Sequence, residues 1–258
     1  MIGGIIAIVI LDMKRFWLEK TRMIAGLIQP LLYLFVLGAG LGGSSTMGDR
    51  YRPYIFPGTM ALSLLFSATF AAIVIVFDRQ VGFFKAILVA PVPRPAIALG
   101  KILSGALQAF CQGFILLPFA HFAGVPLTIA STLLMILTMM LSAIVFSALG
   151  VAVAARFTST TVFPIVSNAM LLPMYFLSGA LYPLTAAPHW MQVLARFDPV
   201  AYAVDLMRGS LFGVFFFPVW MSLAATAAFI LLFALSAVQV FNKGDDTHMG
   251  PANLPWRR

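Results

Sequence analysis

An all-α membrane protein is the fold class that this sequence predicts, and three observations predict it. Hydrophobic residues make up 62% of the 258 positions and charged residues only 9%, against about 25% charge in an ordinary soluble domain. Long stretches hold no Asp, Glu, Lys or Arg at all: 23–48, 53–77, 102–155, 157–195 and 209–242. The basic residues between them fall mostly on alternate connections. A chain this poor in charge, with a mean hydropathy of +1.02, needs a bilayer as its solvent.

The elements follow in order. Residues 12–22, DMKRFWLEKTR, form an amphipathic helix at the membrane surface. Asp12, Arg15, Glu19 and Arg22 recur at helical steps and make an ion-pair ladder, while Met13, Phe16, Trp17 and the Lys20 stem cover the other side. A crossing helix needs about 20 apolar residues for roughly 30 Å of hydrocarbon. The uncharged run 102–155 is too long for one crossing and turns at Gly124, Val125 and Pro126. Six spans result, at 23–42, 55–77, 102–123, 129–154, 162–183 and 214–241, in one domain over 1–258. Gly38 and Gly42 permit close helix approach in the first. Before the last, Pro183, Pro188 and Pro199 break the chain, and Trp190, Leu194 and Phe197 can bury one face of a short helix.

Orientation follows from Lys and Arg. With the N-terminus inside, Lys14, Arg15, Lys20, Arg22, Arg79, Lys85, Arg94, Lys101, Arg156, Lys243, Arg257 and Arg258 are cytoplasmic, against Arg50, Arg52, Arg196 and Arg208 outside. Both termini are then cytoplasmic. The net charge of +8 is read as this topology signal rather than as a nucleic-acid surface. The one cysteine, Cys111, excludes a disulfide framework and a cysteine zinc site. No cleavable signal is expected, because the basic residues follow the apolar Ile2–Leu11 instead of preceding it.

What the spans lack bears on mechanism. Ion-driven transporters hold ionisable groups at mid-membrane, and no proposed span has one. His121 reads as an interfacial anchor. The chain has no G-x-x-x-x-G-K-[ST] phosphate loop, so nucleotide chemistry must come from a partner. Intramembrane hydrolysis is not supported: Ser178–Gly179 lacks an upstream glycine, and His189 is outside the spans. Asp198 and Asp205, near Arg196 and Arg208, together with Asp245 and Asp246 in the tail, read as solvated charge pairs and not as a metal cluster. Neither a catalytic residue nor a metal site is expected.

Residues 77–101, FDRQVGFFKAILVAPVPRPAIALGK, are too polar to span and too apolar to be an idle tether. In a helix Val81, Phe84, Ile87 and Leu88 share a face, Phe83 broadens it, and Pro91 and Pro93 stop it. Such a face on an inner loop lies on lipid or docks into a protein groove. In the third span Ser104, Gln108 and Gln112 stand at steps of four, which suits helix packing or a substrate path.

At these residues the chain resembles the type-2 ABC exporter permeases, membrane subunits that work with daunorubicin-resistance, nodulation-factor and polysaccharide export ATPases. DRQVGFFKAILVAPVPR (78–94) resembles their cytoplasmic loop. QPLLYLFVLGAGLG (29–42), FPGTMALSLLFSATF (56–70), LPMYFLSGALYPL (172–184) and DPVAYAVDLMRG (198–209) fit in the same order. Gln80 stands where many members have an acidic residue, which removes the charge for a salt bridge to the ATPase. Asp198 stands where Asn often precedes the Pro.

The resemblance implies that Asp78, Arg79, Gln80, Gly82, Phe83, Phe84, Lys85, Pro91 and Arg94 belong to a coupling element seated in a cleft of the ATPase. It also implies a surface helix that includes Arg15, Trp17, Glu19 and Arg22, and short re-entrant outer helices before the last span. It implies a permease dimer over an ATPase dimer in the cytoplasmic membrane of a prokaryote, with ATP and Mg on the partner and no cofactor on this chain. The expected function is the membrane half of an ATP-driven exporter for an amphipathic drug, a lipid or a lipid-linked glycan, and not an enzyme in its own right. An ATP-independent scaffold or channel is the alternative.

Overall fold

The computed structural model describes residues 2–40, 48–81 and 93–243, and every regular element among them is helical. Helix α1 runs Ile2–Leu18. It starts ten residues before the surface helix the sequence suggested, because Ile2, Ile6, Ile10 and Trp17 form one exposed ridge while Ile8, Asp12 and Phe16 turn toward a neighbouring helix. It stops where Glu19 leaves helical geometry (φ −86°, ψ 56°), so Glu19 and Arg22 belong to the next element.

α2 spans Lys20–Gly40. Pro30 lies inside it and has no N–H to give, and residues Tyr33–Leu37 wind as a π-helical turn just beyond. α3 spans Tyr51–Gln80, with one residue, Ala72, out of register between its two segments. α4 runs Arg94–Leu116 and tightens into a 3₁₀ turn to Ala120. Gly124, with φ +74°, supplies the reversal into α5, Ile129–Ala154. Thr128 caps α5 reciprocally with Ser131. α6 is Val162–Leu177, α7 His189–Ala195, α8 Pro199–Phe212 and α9 Val219–Lys243.

Among the described residues, five helices are long and apolar enough to cross a membrane: α2, α3, α4 with its 3₁₀ turn, α5 and α9. The expected fifth span, 162–183, is shorter than predicted. Gly179 adopts φ +75°, and a side chain there would lie 2.5 Å from Leu184, so α6 ends at Leu177. Its 16 residues reach about 24 Å.

α3, α4 and α5 form the centre, α8 packs on α3 and α5, and α2 and α9 flank them. Between apolar helices in lipid, close packing rather than the hydrophobic effect holds the bundle. The sequence supplies it with small residues. A Cβ at Gly150 of α5 would stand 2.8 Å from the Thr69 Cα of α3, and one at Gly105 of α4 would stand 2.5 Å from the Ser147 hydroxyl of α5. One apolar cluster gathers around Phe56, Phe146, Leu171 and Tyr175, and a second around Ile75, Ile97, Val151 and Phe163. The second lies at the end where α3 stops and α4 begins.

Candidate functional site

That end is built from charged residues. The α3–α4 connection leaves from Val81 and returns at Pro93, and each root is tied to other helices. Asp78, two residues before the end of α3, is buried. Its carboxylate lies 3.6 Å from Arg15 of α1 and 3.6 Å from Lys101 of α4. Lys101 is also buried, and its Nζ donates to Asp12 Oδ1 of α1 at 3.0 Å. Ser104 donates to the other Asp12 oxygen at 2.8 Å. Two anions and two cations thus join α1, α3 and α4, and three of the four are buried. Removing one member of such a buried pair costs roughly 3–5 kcal/mol, because the other is left charged and unpaired.

The remaining root residues reach the other helices. Arg79 donates to the Ala155 carbonyl at the end of α5 and lies 5.6 Å from the Phe241 ring of α9. Gln80 accepts from Thr160 at 2.8 Å, and Arg94 donates to the Asn242 carbonyl at 2.7 Å. Of the predicted coupling residues, Asp78, Arg79, Gln80 and Arg94 are therefore engaged within the chain, and Gly82, Phe83, Phe84, Lys85 and Pro91 lie outside the described residues. The expected ladder along α1 is replaced. Asp12 pairs with Lys101, Arg15 reaches Asp78, and Glu19 and Arg22 pair at 3.1 Å across the α1–α2 break. The expectation of uncharged spans changes too, since α4 begins at Arg94 and carries Lys101 inside its helix.

Sequence reasoning missed the Asp12–Lys101 pair. Its signal was present: Lys101, Ser104, Gln108 and Gln112 fall at i, i+3, i+7 and i+11, one polar stripe down α4. Ser104 binds α1, Gln112 donates to the Met23 carbonyl of α2 at 2.7 Å, and Gln108 is buried. Trp17 is exposed on the ridge of α1.

Beside the charged end lies a cavity of about 890 Å³. Gln29 and Pro30 of α2, Phe66, Phe70 and Val74 of α3 and Gln112 of α4 wall its interior. Arg15, Glu19 and Arg22, at the α1–α2 break, stand at its charged edge with Phe77 and Thr160. This volume is that of a single small-ligand or lipid-sized site.

The opposite end holds a second set of buried polar groups. The sequence suggested solvated pairing for Asp198 and Asp205, and the structure corrects this: both are buried. Asp198 caps α8 by accepting from the Val200 N–H at 2.9 Å. Burial pushes its carboxyl up to about 8, against the lowering effect of that one hydrogen bond. Asp205 accepts from the Phe216 and Phe217 N–H groups and from Ser222 at 2.6, 3.2 and 3.2 Å, stitching α8 to the start of α9. Burial raises this carboxyl also, and those three bonds oppose the rise. Arg208 is buried, sits 4.1 Å from the Tyr54 ring centroid and donates to the Gly179 carbonyl at 3.0 Å. Trp190 and Leu194 of α7, with Phe197 just beyond its end, turn away from the other helices and are exposed on the chain. Ser178, weighed as a nucleophile, donates its proton to the Tyr175 carbonyl.

Among the described residues, nine helices, five of them long and apolar enough to cross a membrane, gather around a charged collar at one end. The family model that describes the ABC-2 type transporter matches residues 4–212, which takes in α1 through α8. The chain belongs to the ABC-2 type transporter family. The relatives of this ABC-2 permease are named accordingly. Nodulation protein J of Rhizobium leguminosarum bv. trifolii is 30% identical over 205 residues, covering 75% of this chain and 75% of its own length. The inner membrane transport permease YadH of Escherichia coli K12 is 26% identical over 241 residues, covering 89% and 90%. The ABC-2 permease is therefore a multi-pass helical membrane protein of a transport family, and its charged collar ties down the two roots, at Asp78–Gln80 and Arg94–Lys101, from which the connection between α3 and α4 leaves and returns.

Proposed function

We propose that this ABC-2 permease is the membrane half of an ATP-driven exporter. A separate ATPase subunit, which binds ATP and Mg²⁺, docks on residues 78–94, and two permease copies form the conduit in a prokaryotic cytoplasmic membrane. Both termini face the cytoplasm, the short helices α7 and α8 dip into the outer leaflet beside the exit, and this chain contributes no catalytic residue. The cavity is the observation that carries the reading. Among the described residues its apolar wall holds no ionisable side chain, its edge carries Arg15, Glu19 and Arg22, and it borders Phe77 and Thr160 beside the roots of the coupling connection. An amphipathic substrate with a polar head group and an apolar tail fits that division, the head at Arg15, Glu19 and Arg22 and the tail along Phe66 and Phe70. With no ionisable group deeper in the wall among the described residues, coupling to an ion has no group to act on there, which supports an energy source outside this chain.

The docking face is the test. Grip in such grooves comes from a few buried aromatics, and Phe83 and Phe84 are the aromatic residues of 78–94. Truncating either to Ala is expected to weaken ATPase binding by about 1–3 kcal/mol, roughly 5- to 150-fold. The Phe83→Ala/Phe84→Ala variant should insert normally, lose its co-purifying ATPase and stop exporting. Full ATPase binding with full transport in that variant rejects the docking assignment. A stable wild-type oligomer that neither binds an ATPase nor needs ATP favours the scaffold or channel.

A further inference from the structure

We propose that α1 is a driven part of the pump and not a passive float: Asp12 locks α1 to α4, so that displacement of the α3–α4 roots moves α1 and, through it, the edge of the cavity. The proposal rests on the exporter reading above and goes beyond it by assigning a route for the stroke.

Three observations converge on it. First, a helix that only floats on lipid needs its exposed ridge of Ile2, Ile6, Ile10 and Trp17, and it has no use for a buried carboxylate on its inner side. Asp12 is buried and fully engaged, with Lys101 on one oxygen and Ser104 on the other. Second, the tie is backed by close contact. Gly100, the residue before Lys101, has no side chain, and a Cβ there would stand 3.1 Å from the Ile8 Cβ of α1. Separating the helices would leave Asp12 and Lys101 apart in a low-dielectric interior, where an unpaired charge is costly. Third, Lys101 also faces Asp78, and Asp78 faces Arg15. Both roots of the connection are thereby joined to α1 by charge.

What α1 then moves is defined by its far end. Arg15 and Phe16 line the cavity, and the chain passes through Glu19 directly into α2, the cavity's next wall. A push on the roots is transmitted along a rigid helix to the cavity edge in one step. Asp12 is a positioning residue in this route and does not touch substrate.

Two experiments on the permease with its ATPase, in a Cys111→Ser background, test it. Ile8→Cys with Gly100→Cys brings the two Cβ atoms to 3.1 Å, just under the roughly 3.5–4.5 Å that a disulfide spans. If α1 and α4 move as one body, the oxidised, cross-linked permease exports within about twofold of the reduced one. Export lost on oxidation and restored by reductant overturns the proposal. The second replaces the ionic tie by apolar packing, Asp12→Leu/Lys101→Met, a change that buried ion pairs tolerate without loss of fold. Ser104 still bonds the residue-101 carbonyl, and Asp78 keeps Arg15. This variant is expected to accumulate and bind ATPase as wild type does, while the export per ATP hydrolysed falls at least tenfold. Unchanged export per ATP overturns the proposal and leaves the exporter reading standing. A wild-type permease without ATP-dependent export overturns both.

Discussion

Asp198 closes the N-terminus of α8 with one carboxylate oxygen and buries the other without a hydrogen bond. Its carboxyl, ordinarily at 3.8, rises to about 8, so the folded protein holds a proton there that the unfolded chain has released. The folded state therefore gains most below the ordinary value, and this gain is lost as pH climbs through the folded one. We predict that thermal stability declines from about pH 5 to about pH 8 in the wild type, between the unfolded and folded values, and that Asp198→Asn, neutral at every pH and still a cap, flattens the decline. An equal slope in both proteins rejects the assignment. The cap itself was legible, since Asp before Pro at the start of an apolar run is a helix-start signal. The burial was not. It comes from how the helices pack, and the three donors that meet Asp205 come from the turn and helix that follow α8, whereas a local charge pattern of Asp198 with Arg196 or Asp205 with Arg208 suggested water instead.

Elements were legible in proportion to how much of their limits is local. α5 runs Ile129–Ala154, as the sequence indicated, because Pro126 and the Thr128–Ser131 cap sit at its start. α6 falls short because Gly179 takes a left-handed turn that Leu184 crowds, and hydropathy alone reads Ser178–Pro183 as more span. α1 was read four residues too far, past the break at Glu19, and ten too late at its start, since the apolar Ile2–Leu11 was weighed only as a signal segment. How helices pair was not legible, because the determinants are single small residues. Gly150 shows the size of the effect: its missing side chain lets α5 approach the α3 backbone at Thr69. Gly150→Leu is expected to cost at least about 1–3 kcal/mol by overpacking and to cut the yield of folded protein in detergent. Gly3→Leu, with open space around it, serves as the control, and equal thermal stability of the two variants refutes the close approach.

Across the whole molecule, charge divides the two ends. The collar of Arg15, Asp78, Arg79, Arg94 and Lys101 gathers at one, and the capped carboxylates of α8 at the other. The proposed topology, which rests on the bias of Lys and Arg, has the collar facing the cytoplasm. Single cysteines in a Cys111→Ser background check this: Gly48→Cys and Ala187→Cys should react with an impermeant maleimide from outside, and Ala90→Cys and Gly250→Cys should be protected. Any other pattern reverses or breaks the topology. Coverage differs between helices as sharply as charge does between ends. The most apolar window of α3 is 67% buried by the rest of the chain, and those of α2 and α9 only 17%. Read as a history of synthesis, this sets an order of events. α2 emerges first, with most of its sides already in their final surroundings once lipid meets them. α3 emerges next, with Gly58 shaped to Ala180 and Thr69 shaped to Gly150, parts of the chain that the ribosome has yet to make. At about 5–20 residues per second, α3 waits on the order of ten seconds for its partners. That interval is when a membrane chaperone or a protease finds this chain least protected.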